Sequence, residues 1–430
     1  MIQSNSTNPK FKTTYVEQHL EFFSLVSSVL LLFFLMTFQN VKAQSLNEYI
    51  HLGLKKNPAI QKFELQYGIA KEKIHEVNTL PNTEFGLGYF VLQPETRTGA
   101  QRFKVSAKQM LPWFGTITSR ENYVSSLADT KYQDIVIARR KLMASISQSY
   151  YNLCANKAQQ IVLIENSKLL KTYETLALNA VEVGKATVVD VLRLQMRKNE
   201  LEQLEKVLKQ QFLAEQAVFN KLLNRDSEIE IQVMSKLTIP KELEELMVEK
   251  LALHPELLKY DKLYESVEQS ELLNQKESSP LIGFGIDYIN IEKRPEMSFV
   301  DNGKDVLMPM LAVSIPIFNK KYKSKTKQNE LQEKEIKMQK KERSNALESR
   351  LEKAIRDRIS AKINYETQLK NLEQVVHAET ILMKSYETNR VDFKEVLDVQ
   401  ELKLKFQLQQ VASIKSFYIQ TVIINYLIQK

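Results

Sequence analysis

Residues 45–430 are one plan written twice. The first copy runs through Asn57-Pro58, then Pro81 to Tyr89, then Val183 to Gln195. The second runs through His254-Pro255, Pro280 to Tyr288, and Thr388 to Gln400. Corresponding landmarks fall in the same order, roughly 200 residues apart. Each copy sets a pair of short alternating segments between long helical ones. Repetition on this scale makes each copy a unit that buries its face only against another copy. It suits a tube better than an enclosed catalytic pocket.

Alternation identifies the short segments. From Thr83 to Leu92, Phe85, Leu87, Tyr89 and Val91 point one way, and Glu84, Gly86, Gly88 and Phe90 the other. A period of two marks a strand. From Arg102 to Met110, Phe103, Val105 and Ala107 oppose Arg102, Lys104, Ser106 and Lys108. The second copy places strands at Leu281 to Ile291 and Val306 to Pro316. One apolar and one polar face suits a barrel wall with lipid outside and water inside. The aromatics between Leu111 and Gly115 suit a membrane interface.

Thr118 to Glu182 and Tyr322 to Glu387 contain neither glycine nor proline. Each predicts a helix on the order of 100 Å long. Val183 to Thr187 and Thr388 to Asp392 break these helices, which return over Val188 to Asn224 and from Phe393 onward. Leu194, Leu201 and Leu208, and Leu397, Leu404, Val411 and Tyr418, recur every seven residues. That spacing coils helices around each other in the left-handed sense. Shorter helices are expected from Ser45 to Asn78, opened by a Ser45 and Glu48 capping box, and from Lys241 to Glu277. Glu228 to Val233 alternates and reads as a short extended piece joining the copies.

Four strands of this length can span a membrane, but they cannot close a barrel, and an open edge in lipid leaves backbone groups unsatisfied. Three chains supply twelve strands, an even number within the range of such barrels. The expected fold class is therefore mainly α with a membrane β-barrel. Duplicated long helical hairpins form a trimeric α-helical tunnel, and four strands per chain contribute to a 12-stranded barrel.

The N-terminus predicts export. Lys10 and Lys12 precede an apolar run from Phe22 to Phe38, and Val41 and Ala43 occupy the two positions a signal peptidase reads. Cleavage is expected after Ala43. This gives a signal peptide over 1–43, a first repeat over 44–240 and a second over 241–430. A retained anchor is the alternative, since the run approaches the length of a spanning helix. After Ala43 no apolar stretch reads as long enough for a membrane helix, so any span must be made of strands. The single cysteine, Cys154, makes no internal disulfide and reads as a small apolar filler. The net charge of +8 is spread through mixed-sign helices, which argues against a nucleic-acid partner. The one dense basic run, Lys320 to Lys327, reads either as a solvated helix start or as a surface for anionic lipid headgroups or lipopolysaccharide phosphate.

With these landmarks in place, the chain resembles the TolC-like outer-membrane efflux proteins, the outer-membrane factors. The resemblance covers essentially all of the mature chain. It is carried by Ser45 to Glu48 leading into Asn57-Pro58, the strand pairs opening at Pro81 and Pro280, and the strand end Ser314 to Phe318. Two tip motifs complete it: Gly184 with Val189 to Gln195, and Asn389 with Lys394 to Gln400. The resemblance implies a homotrimer with its barrel in the outer membrane of a Gram-negative bacterium and its tunnel crossing the periplasm. It implies an inner-membrane pump and a periplasmic adaptor, or membrane fusion protein, as partners in efflux or type I secretion. The family's acidic ring at the tunnel's closed end falls by register on Glu395 and Asp398, with Asp190 and Arg193 at the equivalent positions of the first copy. Arg193 departs from the acidic pattern. It is a candidate latch to a neighbouring chain's carboxylate, with ordinary helix surface charge as the alternative. Gly184, Lys185, Thr187, Asn389, Arg390 and Asp392 form the tip turns expected to meet the adaptor.

No enzyme is expected, and no cofactor or metal. His19, His51, His75, His254 and His377 are scattered, and no H-E-x-x-H, G-x-S-x-G or P-loop motif is present. His254 stands where the first copy has Asn57 and reads as a structural turn residue. Met297, Met308 and Met310 could serve as soft ligands for copper, but packing is the favoured reading. The competing architecture is a periplasmic coiled-coil adaptor. It accounts for the heptads and leaves the two matched strand pairs without explanation.

Overall fold

A computed structural model of the chain describes residues 45–184, 186–234, 236–242, 246–318, 320–388 and 390–428. The expected signal peptide lies outside the described residues, as do Lys185 and Asn389. The helices are α1 (Leu46–Lys56), α2 (Pro58–Val77), α3 (Thr116–Glu182), α4 (Val188–Leu222), α5 (Pro255–Glu277), α6 (Lys320–Glu387) and α7 (Phe393–Ile428). The strands are β1 (Glu84–Tyr89), β2 (Glu95–Thr96), β3 (Gly99–Leu111), β4 (Leu281–Glu292) and β5 (Val306–Ser314). The two copies do not fold as separate bodies; from Leu46 onward they make one compact unit.

The long helices match in length. α3 has 67 residues and α6 has 68, each about 100 Å at the α-helical rise. Their return helices have 35 and 36 residues. The heptad positions bury as expected: Leu194, Leu201 and Leu404 are core residues, with Leu208 and Leu397 packed against the same cluster. Near mid-length, Tyr49, Ile146, Tyr150 and Phe219 bring α1, α3 and α4 together. The Tyr49 and Phe219 rings meet edge to face at 5.0 Å. Cys154 is buried in this cluster, and burial pushes its thiol up to about 11. Leu251, Leu347, Leu351, Ile424 and Leu427 form the corresponding core of the second copy.

Two expectations need correction, and a third gains detail. The helix expected from Lys241 begins only at Pro255; a 3₁₀ turn over Val248–Leu253 precedes it. Proline fits the first turn of a helix, where its missing donor costs nothing. The alternating piece Glu228 to Val233 joins the copies as expected. It is an extended strap held by side chains: Asn220 Nδ2 donates to the carbonyls of Ser227 and Ile229, and the Tyr49 hydroxyl donates to that of Gln232. Finally, α7 is long and apolar enough by length and composition to cross a membrane. Its Val396, Leu404, Phe417, Ile424 and Leu427 are buried within the chain, so part of its apolar surface is spent on the core.

Asn57 and His254 do the same work in the two copies. Asn57 Oδ1 accepts from Ala59 N at 2.9 Å, and His254 Nδ1 accepts from Glu256 N at 3.3 Å, each capping a helix that opens with proline. His254 is 0% exposed, and its Nε2 has no hydrogen-bond partner among the described residues. Glu256 beside it accepts from the Tyr426 hydroxyl at 2.5 Å and pairs with Lys141 and Arg343. Burial alone would raise the Glu256 carboxyl, but Tyr426, Lys141 and Arg343 outweigh it and hold it below its ordinary value. Burial lowers the His254 imidazole from 6.5 to about 4.

The capping nitrogen must be unprotonated, so the native state holds His254 neutral where the unfolded chain would charge it. The stability this contributes is complete above the unfolded value and is lost as pH falls from about 6.5 toward 4. His254→Asn, which installs the first copy's cap, is expected to remove roughly 2–3 kcal/mol of that acid sensitivity. Thermal unfolding at pH 7 and pH 4.5 checks it: the melting temperature of the variant should fall less on acidification than that of the parent.

Candidate functional site: the sheet faces and the hairpin tips

All strand pairs are antiparallel, and the main order is β1-β3-β4-β5. The strand β2, which sequence alternation does not reveal, pairs with the start of β3. Register aligns Phe85, Ala107, Ile286 and Pro309 in one rung, and Leu87, Val105, Tyr288 and Leu307 in another. The rung between them holds Gly86, Ser106, Asp287 and Met308. Because side chains alternate between faces, one face is apolar and the other carries the glycines and charges. Phe85 and Leu87 are 80% and 81% exposed; no described residue of the chain covers them. On the polar face Lys104 pairs with a fully buried Asp287 carboxylate. Met110 and Met310 occupy the space that glycine leaves at Gly283 and Gly285. No group of three His, Cys, Asp or Glu side chains gathers among the described residues.

Beyond the far end of the sheet, the two connecting loops are clasped. Arg294 donates to Glu95 Oε2 at 2.5 Å and to the Thr96 carbonyl at 2.6 Å, and Gly303 N donates to the Thr98 carbonyl at 2.8 Å.

The helical hairpins turn at the opposite end of the long helices. Gly184 ends the first with φ of +71°, a left-handed conformation that glycine adopts without a Cβ penalty. Thr187 then caps α4 in a capping box: its side chain accepts from Asp190 N, and Thr187 N and Oγ1 both donate to Asp190 Oδ2. The Asp190 carboxylate is thus committed to its own turn. Arg193 lies 3.7 Å from it on the same helix, so the candidate latch already has a partner within the chain. In the second hairpin, Arg390 N donates to the Ser385 carbonyl at 2.9 Å and Glu395 N to the Asp392 carbonyl at 3.1 Å. The side chains of Glu395 and Asp398 are exposed. Neither forms an ion pair among the described residues, and their i, i+3 spacing sets them on one face.

The two tips present different surfaces. Val183, Val188, Val189 and Leu192 leave the first tip apolar and exposed. Arg390, Asp392, Lys394 and Glu395 leave the second charged. Phe393, the counterpart of Val188, is buried against Tyr173 and Tyr386. The second hairpin is thereby anchored on the first.

A buried polar latch reinforces that anchor, and sequence reading missed it. Glu379 accepts from the Tyr173 hydroxyl at 2.9 Å and from Lys403 Nζ at 2.5 Å. Gln400 Nε2 donates to Asn166 Oδ1 at 2.9 Å, and Asn166 Nδ2 to Gln407 Oε1 at 2.8 Å. Burial, and then the Glu379 carboxylate, push the Tyr173 hydroxyl above its ordinary range. The Lys403 pair has a counterpart 205 residues earlier, Lys198 with Glu174 at 3.3 Å, so the repeat offset is the signal that finds it.

Tyr173→Phe removes one hydrogen bond and is expected to cost about 1 kcal/mol. Glu379→Ala strands the Lys403 charge and should cost about 3–5 kcal/mol. Melting of the helical signal should place the parent first, Tyr173→Phe second and Glu379→Ala last; equal melting of the two variants counts against the latch.

No protein-family model and no curated protein matches this chain. Solved structures do. The outer membrane protein VceC of Vibrio cholerae is similar with a TM-score of 0.70 at 14% identity, over 89% of this chain and 95% of that one. CusC, solved in a study of folding and transmembrane channel formation, gives 0.73 at 12% identity, over 89% and 91%. The CmeC outer membrane channel of Campylobacter jejuni gives 0.70 at 13% identity, over 89% and 85%. The chain has the fold of these outer-membrane proteins along nearly its whole length.

Proposed function

We propose that this chain is the outer-membrane channel of a tripartite efflux or type I secretion system: a passive trimeric conduit through the outer membrane and across the periplasm of a Gram-negative bacterium. The observation that carries the reading is the sheet. Among the described residues it has an apolar face with Phe85 and Leu87 uncovered, a polar face, and two free edges, β1 and β5. In lipid those edges must find partners. The β5 edge of one copy pairing with the β1 edge of the next makes a closed cylinder from three chains. The polar face then lines a water-filled lumen, and the matched hairpins continue it as a tunnel. The similar folds of VceC, CusC and CmeC support the same reading. An adaptor has no use for a half-lipophilic open sheet.

A conduit of this kind needs no acid, base, nucleophile or cofactor. Its control lies at the tips. Glu395 and Asp398, exposed and unpaired, form the acidic ring; threefold repetition brings the carboxylates together, where they repel one another and attract cations. Asp190 and Arg193 stiffen the neighbouring turn as a pair. The tip turns contact the periplasmic adaptor through the exposed Gly184, Thr187, Arg390 and Asp392, with Lys185 and Asn389 beside them in sequence, and the apolar first tip supplies the area that contact buries. Adaptor and pump open the tip by binding the open arrangement better than the closed one. The Tyr173–Glu379 and Asn166–Gln400 contacts keep the hairpins of one chain together.

Recordings in planar bilayers test the ring. Replacing both Glu395 and Asp398 with Ala is expected to lower the cation-to-anion permeability ratio about twofold or more. A ratio unchanged in a conducting trimer removes these two residues from the constriction. Failure to find heat-modifiable trimers in the outer-membrane fraction removes the channel itself.

A further inference from the structure

The start of α6 carries Lys320, Lys321, Lys323, Lys325 and Lys327 within its first eight residues. This is an unfavourable place for them. Cations at a helix N-terminus oppose the helix dipole, and like charges three or four residues apart repel. Only Lys327 has an ion-pair partner among the described residues, Glu330 at 2.7 Å. The duplication supplies an internal control. Leu111-Pro112-Trp113-Phe114 leads into α3 as Ile315-Pro316-Ile317-Phe318 leads into α6. At the matching positions α3 has Thr116, Ile117, Ser119, Glu121 and Tyr123. A helix leaving this sheet therefore needs no lysine for its fold.

The inner side of α6 is already occupied. Asn274 Nδ2 donates to the Tyr322 carbonyl and to Thr326 Oγ1, and Asn329 Nδ2 donates to Glu271 Oε2. At about 100° per residue, the five lysines spread over roughly 200° on the other side of the helix, wider than one packed helix covers. Just above them the apolar side chains of β5, Leu311 and Val313, are followed by Ile315, Ile317 and Phe318, the last two 79% and 92% exposed. Trp113 and Phe114 stand at the same rim, because register sets Leu111 beside Ile282 and Ile282 beside Val313. An apolar and aromatic band above five lysines, four of them without an ion pair among the described residues, matches the boundary between acyl chains and anionic headgroups.

We propose that this lysine band, at the helix-side rim of the sheet, docks the anionic phospholipid headgroups of the inner leaflet of the outer membrane. The inference rests on the membrane-barrel reading above. The phosphates neutralise the lysines, which otherwise destabilise the start of α6, and they fix the depth at which the sheet sits.

Trp113 is the only tryptophan in the chain and reports from this rim. The full-length protein is reconstituted in vesicles of phosphatidylcholine with graded phosphatidylglycerol, either lipid carrying bromine on its acyl chains to quench the indole. Brominated phosphatidylglycerol is expected to quench Trp113 with about fivefold or greater preference over brominated phosphatidylcholine at low salt. The preference should fall toward unity in high salt, and in the Lys320→Gln, Lys323→Gln, Lys327→Gln variant. Equal quenching by the two lipids, with the trimer intact, overturns the inference and leaves the channel standing. Loss of the trimer in the variant also overturns it, by assigning the lysines to a contact between chains. Quenching by neither lipid removes the membrane premise itself.

Discussion

Backbone hydrogen bonding at the two open edges of one small sheet governs the rest of this molecule. A free edge in water is a solvated inconvenience; a free edge in lipid leaves donors and acceptors with nothing to bind. A sheet with β1 at one side and β5 at the other has Phe85 and Leu87 bare on one face; in the proposed channel that face meets lipid, where open edges forbid the monomer. The closest interaction between the copies obeys the same logic. The seam from β3 to β4, running from Ala100 opposite Glu292 to Leu111 opposite Ile282, joins first repeat to second inside the chain. Edge pairing between chains repeats the operation.

Length matching follows from closure. Once the strands fix the helices at one end, each hairpin must reach the same depth, or the far opening would be ragged. Helices of 67 and 68 residues, returning through 35 and 36, satisfy that requirement almost to the residue. The tip is then held from within. Phe393, Val396 and Leu404 share one apolar cluster with Tyr173, Leu194 and Leu201, and the Glu379 carboxylate ties α3 to α6 and α7 through Tyr173 and Lys403. Any widening of the tip must either keep these contacts and move the hairpins as a pair, or break a buried charge network.

Much of this was legible in the sequence because the physics behind it is periodic. Alternation at Phe85, Leu87 and Tyr89 marks a strand regardless of its partners, and the absence of glycine and proline from Tyr322 to Glu387 marks a long helix. What escaped was aperiodic. Asn220 reaching across to the Ser227 and Ile229 carbonyls turns an alternating segment into a strap, and nothing in the run Glu228 to Val233 announces that its hydrogen bonds go to side chains. Asp190 read as a channel acid because it aligns with Glu395, yet Thr187, three residues upstream, engages its carboxylate in a cap. The apolar composition of α7 was masked by Lys403, Lys405 and Lys415, and becomes evident only when the helix is seen buried. The Tyr173–Glu379 contact spans 206 residues, and no local pattern announces a pairing at that distance.

A duplicated chain carries its own comparison, and the places where its halves part company are the informative ones. Where both copies need only a fold, they agree in mechanism even when the residue differs: Asn57 and His254 both cap through a side-chain acceptor two residues ahead of the bonded amide. Where the copies disagree in chemistry, packing offers no reason. Val189 against Lys394 and Arg193 against Asp398 make one tip apolar and self-paired, the other charged and open. Thr116, Ser119 and Tyr123 against Lys320, Lys323 and Lys327 make one exit from the sheet neutral and the other cationic. A fold satisfied with either choice does not select between them; the selection has to come from what each surface meets. In the proposed trimer, two unlike tips per chain give six contacts of two kinds, a pattern suited to a partner that alternates apolar and charged surfaces around the same axis.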